Sequence, residues 1–308
     1  MKRKRRQKRG FPLRAKLAVF VLLLGVAVGL AGQLFPKQYD EFCNYACEKA
    51  QSIKIALVDA FDKKCTLGDG VLVDQNFAEF EIANYLPKSK ENVKVLKNTG
   101  YIAGFSEKFA IPMWSIYSVQ RPFKYKTAER PQRFEQDRRV LNCPKHSDYS
   151  SSGYDRGHMS PNYAVGVCFG NKAQMETFLL TNIVPQKPQL NRKVWRDIEI
   201  FLAKDATYNF EKLIIVAGAL LPEKPQHIRN KVAIPNACYM AILAKDKNGG
   251  YKCIGFVVPQ NPENENFWTY AKSIDYIEEI SKTDFFSALP DEIENKIEAV
   301  LDVDSFKN

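Results

Sequence analysis

Alternating apolar and polar positions, broken at turn residues, predict a β-sheet in the middle and later parts of the chain. Two short runs rich in aromatic and β-branched residues, Tyr101–Phe105 and Met113–Val119, are separated by polar turn residues, as in a β-hairpin. In the last pair of predicted strands the connection is Lys247-Asn248-Gly249-Gly250, where Asn-Gly strongly favours a tight turn. Three further runs have the same strand-like pattern: Leu213–Ala219, Lys231–Leu243 and Tyr251–Val258.

A 3.6-residue period predicts helices between and after these strands. Asn191–Ala203 places Val194, Ile198 and Leu202 on one stripe and contains no Gly or Pro, so a helix should begin near Gln189. Near the C-terminus, two more helices are predicted: Ser273 can cap Ile274–Ile280, and Pro290 suits the first position of a helix. The fold class is therefore α+β, with a mainly antiparallel sheet flanked by helices.

The amino terminus has a different pattern, and it predicts export. A basic stretch runs into an uncharged, apolar segment, Leu17–Pro36, which resembles a secretory signal with a small-residue cleavage site at Gly29-Leu30-Ala31. About 20 apolar residues are also enough to span a bilayer, and an uncleaved anchor is slightly favoured. Either route places residues 38–308 outside the cytoplasm, membrane-anchored or, after cleavage, secreted or periplasmic.

The composition, with 45% hydrophobic and 26% charged residues, is that of an ordinary globular protein and does not indicate a function. The net charge of +10 comes almost wholly from nine Lys and Arg among residues 1–16, so the rest is nearly neutral. A better indication of phosphate binding is the polar, proline-interrupted loop predicted over Arg121–Ser152, which holds seven basic residues between Arg121 and Arg139. The alternative is a solvated loop with no ligand.

The seven cysteines leave at least one thiol free or intermolecular if the protein is exported. Cys43, Cys47 and Cys65 could form a local disulfide, whereas zinc is disfavoured because no histidine lies nearby. Cys238 and Cys253 flank the predicted Asn-Gly turn at unequal offsets, so direct pairing between them is doubtful.

The residues that carry chemistry are Asp155-Arg156-Gly157-His158, followed by Asn182, Pro185-Gln186, Asn191 and Glu199. An imidazole, an adjacent guanidinium, amide oxygens and a carboxylate are what phosphodiester hydrolysis requires. They supply a base for water, a cation for phosphate and oxygen ligands for a hard metal ion. Histidine is more often structural than catalytic, but the flanking glycine and arginine favour a catalytic role for His158.

These motifs resemble those of the DNA/RNA non-specific endonuclease family over residues 90–300. Tyr154–Pro161 is similar to its signature loop, and Thr181–Gln186 with Leu190-Asn191, Trp195 and Glu199 to its second block. The resemblance implies a ββα-metal motif, in which two strands and a helix hold one divalent ion. Together with the amino-terminal pattern, it divides the chain into a tail with a signal or anchor (1–36), an accessory segment of unknown role (37–90) that the resemblance does not cover, and an endonuclease domain (91–308).

The same resemblance assigns roles to individual residues. His158 would be the general base, and Asn191 the direct ligand of Mg²⁺, with Mn²⁺ as an alternative; Asn191 could instead cap its helix. Glu199 would accept hydrogen bonds from metal-bound water, or be a surface charge. Arg156 and Arg130 would stabilise the phosphate, with Arg133 as the alternative to Arg130. Asn182 would orient groups around the phosphate, and Asp155 is expected to pair with backbone or with Arg156.

The function implied is Mg²⁺-dependent endonucleolytic hydrolysis of DNA and RNA with little sequence preference, giving 5′-phosphate and 3′-hydroxyl ends. The partners are thus both nucleic acids and, through the amino-terminal segment, a membrane; the oligomeric state is open, with a homodimer among the alternatives. Two rivals remain: a nuclease of narrower substrate, acting on RNA or on single strands during DNA uptake, and an inactive nucleic-acid-binding module. A zinc hydrolase is excluded, because the three histidines lack metal-ligand spacing.

Overall fold

A seven-stranded antiparallel sheet forms the centre of the computed structural model, which describes residues 82–307. The hairpin predicted over Tyr101–Phe105 and Met113–Val119 and the strands predicted over Leu213–Ala219 and Tyr251–Val258 are confirmed. From one edge to the other the strands are β12 (Ala271–Lys272), β11 (Tyr251–Pro259), β10 (Ala237–Asp246), β7 (Phe210–Leu220), β4 (Ile111–Gln120), β3 (Tyr101–Ser106) and β2 (Lys94–Lys97).

Three two-stranded antiparallel pairs accompany this sheet. They are β1 (Lys88–Ser89) with β13 (Thr283–Asp284), β5 (Asp155–His158) with β6 (Ile183–Gln186), and β8 (His227–Ile228) with β9 (Val232–Ala233). The single strand predicted over 231–243 is wrong in extent, because it is divided into β9 and β10. Pro235 lies in the gap, and it has no N–H to donate to a strand ladder.

The three helices that the sequence predicted are confirmed, and three further helices were not predicted. In chain order, the helices are α1 (Asn162–Phe169), α2 (Asn171–Glu176), α3, α4 (Ile274–Ser281), α5 (Asp291–Glu298) and α6 (Asp304–Lys307), with 3₁₀ turns at His146–Tyr149, Leu180–Asn182 and Phe267–Tyr270. The helical run α3 has π-helical turns at Leu190–Trp195 and Phe201–Ala206, an α-helical segment Arg196–Ile200 between them and a last turn at Thr207–Asn209.

A side-chain cap begins α4, and a proline precedes α5. The Ser273 hydroxyl accepts a hydrogen bond from the Tyr276 N–H at 3.3 Å, as predicted for the cap of α4. Pro290 lies one position outside α5, at its cap, and not at the first helical position that the sequence favoured. Proline has no N–H, so neither place costs a helical hydrogen bond.

Apolar side chains cover both faces of the central sheet. On one face, the predicted stripe of α3, Val194, Ile198 and Leu202, is fully buried in a cluster that also contains Val165 of α1. The other face packs against α4 and the Phe285-Phe286 pair. The sheet is thus flanked by helices, and the hairpin β5–β6 is held against the first face together with α3.

Four cysteines of the described part, Cys143, Cys168, Cys238 and Cys253, are buried free thiols. Cys238 lies opposite Val258 and Cys253 opposite Leu243, which confirms that the two do not pair across the strands. None of the helices between residues 82 and 307 is long and apolar enough to cross a bilayer. The predicted signal or anchor at Leu17–Pro36 and the three amino-terminal cysteines lie outside the described residues.

Candidate active site

The hairpin β5–β6 presents the His158 motif, and its geometry requires a glycine. The register pairs His158 with Ile183, Gly157 with Val184 and Asp155 with Gln186. A Cβ atom at Gly157 would overlap the side-chain amide of Gln186. Gln186 is fully buried and donates to the Cys238 thiol at 3.4 Å, so it has little room to move aside. The glycine therefore allows the strand that carries His158 to lie close to its neighbour.

His158 sits in an aromatic enclosure at the end of β5. Its ring centroid lies 5.4 Å from that of Phe134 and 5.0 Å from that of Phe178, which meets it edge-on. The residue is 8% exposed, and its Nε2 has no hydrogen-bond partner within the described structure. Burial, and secondarily the positive charge of Arg130, lowers the pKa of His158 to about 3. The imidazole is therefore neutral at pH 7 and able to accept a proton.

The backbone beyond His158 is fixed by Asn182. The Asn182 side chain is fully buried, accepts from the Ser160 N–H at 2.9 Å and donates to the Ser160 and Thr177 carbonyls at 2.9 and 3.0 Å. Its polar atoms are used within the protein, and it does not line the cleft described below. The structure thus does not place Asn182 against a phosphate; its contacts instead order the segment that follows His158.

The start of α3 supplies an amide and a paired arginine. Asn191 Nδ2 donates to Asp155 Oδ2 at 3.0 Å, and Arg192 forms a two-point ion pair with the same carboxylate, at 2.7 Å for each contact. The expectation that Asp155 pairs with Arg156 is wrong, because these α3 residues occupy its oxygens. Burial raises the pKa of Asp155, but the hydrogen bonds from Arg192 and Asn191 outweigh it, and the net pKa is lowered.

Asn191 is not the cap of its helix. Gln189 precedes the first π-helical turn, and the Asn191 N–H already donates to the Lys187 carbonyl at 2.9 Å. The capping alternative is therefore wrong, because the residue lies inside the helical turn. With Nδ2 held by Asp155, the remaining polar atom of the side chain is the Oδ1 acceptor, and Asn191 lines the cleft.

Glu199 lies two turns further along α3 and is half-buried, so it is not simply a surface charge. Burial raises its pKa to about 8, and Arg130 acts in the opposite direction. A cation placed beside this carboxyl would favour its ionised form. The group therefore has the properties expected of a carboxylate that faces a positive ligand.

Two arginines from outside α3 complete the polar wall. Arg156 Nη2 donates to the His146 carbonyl at 2.6 Å and to Ser150 Oγ at 3.2 Å, while its Nε is buried without a partner in the described part of the chain. Arg130 is exposed, with its guanidinium carbon 5.4 Å from the centre of the Phe178 ring. Of the two loop arginines considered, Arg130 and not Arg133 lines the cleft.

Of the residues assigned a role at the site, His158, Asn191, Glu199, Arg156 and Arg130 line one cleft of about 610 Å³, whereas Asp155 and Asn182 do not. Three basic residues of α3 that were not predicted also line it. They follow a four-residue spacing that places them on one helical face, and this spacing was the signal that the sequence offered. The cleft residues used below are Arg130, Arg156, His158, Tyr163, Asn191, Arg192, Arg196, Glu199 and Lys204.

The donor set in this cleft suits a hard divalent cation. The oxygen atoms of Asn191 and Glu199 are the ligand type that Mg²⁺ prefers, and Mg²⁺ usually retains several waters. The half-buried Glu199 carboxyl, whose pKa is raised, is the local observation that fits a positively charged ligand. A second group of carboxylates, Asp275, Glu278 and Glu298, lies on other elements and does not line the cleft.

Comparison with known proteins decides the relationship. The profile of the DNA/RNA non-specific endonuclease family matches residues 80–292. The chain belongs to this endonuclease family. The match begins inside the segment predicted to be accessory, 37–90, and the domain boundary at residue 90 stays a prediction. Proteins of this family are hydrolytic endonucleases that generally use a divalent metal ion.

Individual nucleases are similar to this chain in sequence, and one solved structure is similar to it in fold. A nuclease of Nostoc sp. is 29% identical over 230 residues, covering 69% of this chain and 80% of the relative. The mitochondrial nuclease EXOG of Xenopus laevis is 32% identical over 215 residues, 63% of this chain and 58% of that protein. The EndoG/EndoGI crystal structure shares the fold, with a TM-score of 0.58 and 22% identity over 65% of this chain and 88% of that one.

Proposed function

We propose that the protein is a Mg²⁺-dependent endonuclease that hydrolyses DNA and RNA with little sequence preference. The observation that carries the proposal is the single cleft that brings His158, Asn191 and Glu199 together under a wall of basic side chains. Five basic residues and one acid line it, so it suits a polyanion. The β5–β6 hairpin and α3 would be the two strands and the helix of the ββα-metal motif.

His158 is the proposed general base. Because burial keeps the imidazole neutral, it can take a proton from the water that attacks phosphorus opposite the leaving 3′ oxygen. A pKa of about 3 is low for a base, but a bound phosphodiester brings negative charge beside the ring. That charge offsets Arg130 and raises the pKa of His158 towards the working range.

Arg156 and Arg130 are proposed to bind the scissile phosphate. Arg156 is held by the His146 carbonyl and Ser150, so its position is set before substrate arrives. Arginine presents several N–H donors in a plane and remains charged at all relevant pH values. Contacts of this kind ignore base and sugar identity, which is why both DNA and RNA should be substrates.

Asn191 and Glu199 are proposed to hold the metal ion, the former directly and the latter through bound water. Asp155 keeps the Asn191 amide nitrogen occupied, which leaves Oδ1 as the ligand atom. A divalent ion bound there would neutralise charge on the phosphate and on the leaving oxygen.

The decisive experiment is degradation of supercoiled plasmid and of a structured RNA, with Mg²⁺ and with EDTA. We expect both substrates to be cut with Mg²⁺ and neither with EDTA, and the rate to fall steeply with salt. His158→Ala should lose about 10²–10⁴-fold in rate while melting as the wild type does. Wild-type turnover by folded His158→Ala would refute the mechanism.

The rival proposals give different results in the same assay. Cleavage of RNA but not of plasmid, under matched Mg²⁺ and salt, would support the nuclease of narrower substrate. Binding of both nucleic acids without any cleavage would support the inactive module. A neutral imidazole, an amide oxygen and a carboxylate that line one cleft support the active enzyme over both rivals.

A further inference from the structure

A continuous ridge of rings and cations leads out of the cleft along the C-terminal half of α3. It consists of Arg121, Phe123, Tyr163, Lys204 and Tyr208, and is called the basic–aromatic ridge below. Tyr163 and Lys204 belong to the cleft wall, whereas the other three do not. The ridge therefore begins at the proposed active site and extends beyond it.

Arg121 ties the outer part of the ridge together. Its guanidinium carbon lies 4.5 Å from the centre of the Phe123 ring and 4.0 Å from that of Tyr208. Its edge donates to Thr207 Oγ1 at 3.0 Å and to the Lys204 carbonyl at 3.4 Å. The cation is thus fixed to the end of α3 and supports the Tyr208 ring.

The inner part of the ridge connects to the cleft through Tyr163. The Phe123 and Tyr163 rings meet edge-to-face with centroids 6.4 Å apart, and Lys204 Nζ lies 5.8 Å from the Tyr163 ring centre. Lys204 forms no ion pair with a carboxylate among the residues that the structure describes. Its charge therefore remains available for an anion.

Rings in this position are unusually exposed. Tyr208 is 61% exposed and Tyr163 38%, although tyrosine in a folded protein usually buries most of its ring. Arg121 covers one face of the Tyr208 ring, and the high exposure leaves ring surface for another planar group. Alternating cations and open rings beside a phosphate-binding cleft match the two faces of a nucleotide strand, its charged backbone and its flat bases.

We propose that the basic–aromatic ridge binds the unpaired nucleotides that flank the cleaved bond, with a base stacked on Tyr208 and phosphates near Lys204 and Arg121. The proposal rests on the nuclease function and extends it to a substrate class. In a duplex the base faces are stacked inside the helix and cannot reach a ring. The ridge therefore favours single-stranded regions of either DNA or RNA, without reading their sequence.

The test measures binding in EDTA, so that cleavage does not interfere. Fluorescently labelled single strands of about 16 and about 4 nucleotides, and a duplex of the longer length, are titrated with the full-length protein and its variants. Tyr208→Ala removes the stacking ring, and Tyr208→Trp keeps a larger one. Tyr276→Ala is the matched control, because Tyr276 is 43% exposed, lies beside Lys272 and belongs to α4, away from the cleft.

We expect Tyr208→Ala to weaken binding of the long single strand about 10-fold, the effect of losing one base–aromatic stack. Binding of the short strand and of the duplex should change little, and Tyr208→Trp and Tyr276→Ala should bind as the wild type does. An unchanged affinity of Tyr208→Ala for the long strand, or equal losses of affinity for all three ligands, would overturn the proposed role of the ridge. The plasmid assay reports separately on the nuclease function, so failure of the ridge leaves that proposal standing.

Discussion

The imidazole of His158 lies between Phe134 and Phe178, and this enclosure sets its acid–base behaviour. Burial, then the charge of Arg130, depresses the pKa of His158 to about 3, so the folded protein binds no proton there at pH 5. An unfolded chain protonates the same ring below about pH 6.5. The group therefore subtracts stability as pH falls from about 6.5 towards 3, and adds nothing above that range.

We predict that His158 stays neutral at pH 5 in the free protein. Nitrogen NMR of labelled imidazoles should show no protonation of His158 at that pH. Addition of an oligonucleotide in EDTA should raise the pKa of His158, because the phosphate charge favours the imidazolium. A His158 signal that titrates near pH 6.5 in the free protein would contradict the enclosed geometry.

Asp155 illustrates how one carboxylate can act through a neighbour. It holds Asn191 by one hydrogen bond and Arg192 by two, and does not itself line the cleft. We predict that Asp155→Ala raises the Mg²⁺ concentration needed for half-maximal activity about 10–100-fold, the usual cost of losing a residue that orients a ligand. Asn191→Ala should have at least as large an effect.

Asp197→Ala is the control for the Asp155 prediction. Asp197 also pairs with an arginine of α3, Arg196, at 2.9 Å, but it is only partly buried and has no hydrogen bond to Asn191. Its replacement should leave the Mg²⁺ dependence unchanged. If Asp155→Ala and Asp197→Ala gave the same Mg²⁺ curve as the wild type, Asp155 would have no role in positioning Asn191.

At the scale of elements, the close approach of β5 and β6 depends on Gly157. We predict that Gly157→Ala destabilises the protein by about 1–3 kcal/mol, because the new methyl group overlaps the buried Gln186 side chain. Gln186→Ala in the same chain should restore part of the loss in denaturant unfolding, since it removes the overlapping group. Additive effects of the two substitutions would show that the overlap is not the cause.

The pairing of α4 and α5 creates a second pH effect. Glu298 is 4% exposed and lies close to the carboxylates of Glu278 and Asp275. Burial, then the negative charge of its neighbours, raises the pKa of Glu298 to about 9 and that of Glu278 to about 7. The folded state binds protons that the unfolded state releases near pH 4.5, so stability falls as pH rises from about 5 to 9.

We predict that Glu298→Gln raises the melting temperature at pH 8.5 by about 4 °C and much less at pH 5. The amide keeps the shape of the protonated acid but cannot ionise. Glu292→Gln, an exposed position on the same helix, should leave the melting temperature unchanged at both pH values. A pH-independent effect of Glu298→Gln would point to packing and not to ionisation.

Periodicity predicted the elements that carry the site better than it predicted their side-chain directions. The stripe Val194, Ile198 and Leu202 was sufficient to locate α3, because apolar residues spaced four apart lie on one helical face and that face is buried. The sequence did not predict that the Asn182 side chain points into the protein, since a polar residue in a turn can face either inward or towards solvent. Its partners, Ser160 and Thr177, are brought close only by the folded chain.

The basic face of α3, opposite its apolar stripe, could have been predicted from the sequence but was not. Arg192, Arg196 and Lys204 recur at multiples of four, as the apolar stripe does, and they line the cleft. The π-helical turns could not be foreseen, because propensities do not distinguish them from α-helical ones. The aromatic enclosure of His158 is likewise built from Phe134 and Phe178, which are distant from it in sequence and were given no role.

At the scale of the whole molecule, positive charge is concentrated in two places. Nine basic residues lie within residues 1–16, and in the described part five basic side chains line the cleft. Residues 17–308 as a whole, with the cleft included, carry a net charge of only +1. Attraction of nucleic acid by the catalytic region therefore depends on the local field of the cleft and not on net charge.

We propose that the amino-terminal segment sends the catalytic region out of the cytoplasm, since basic residues followed by the uncharged Leu17–Pro36 stretch are typical of an export signal. Protease added to intact cells or spheroplasts should digest residues 38–308 without lysis. Resistance of the membrane-bound protein to carbonate extraction would favour the anchor over a cleaved signal. A soluble, full-length and fully protected protein would contradict both.

The hydrogen bond from the Trp195 indole to the His158 carbonyl, at 3.2 Å, has an optical consequence. The indole is a fluorophore whose emission depends on its immediate surroundings, and this one joins α3 to the strand that ends at the proposed base. The chain has three tryptophans, of which Trp114 and Trp268 lie on other elements. With phenylalanine at those two positions, the remaining emission would come from the junction of hairpin and helix alone, giving the cleft its own spectroscopic reporter without any added label.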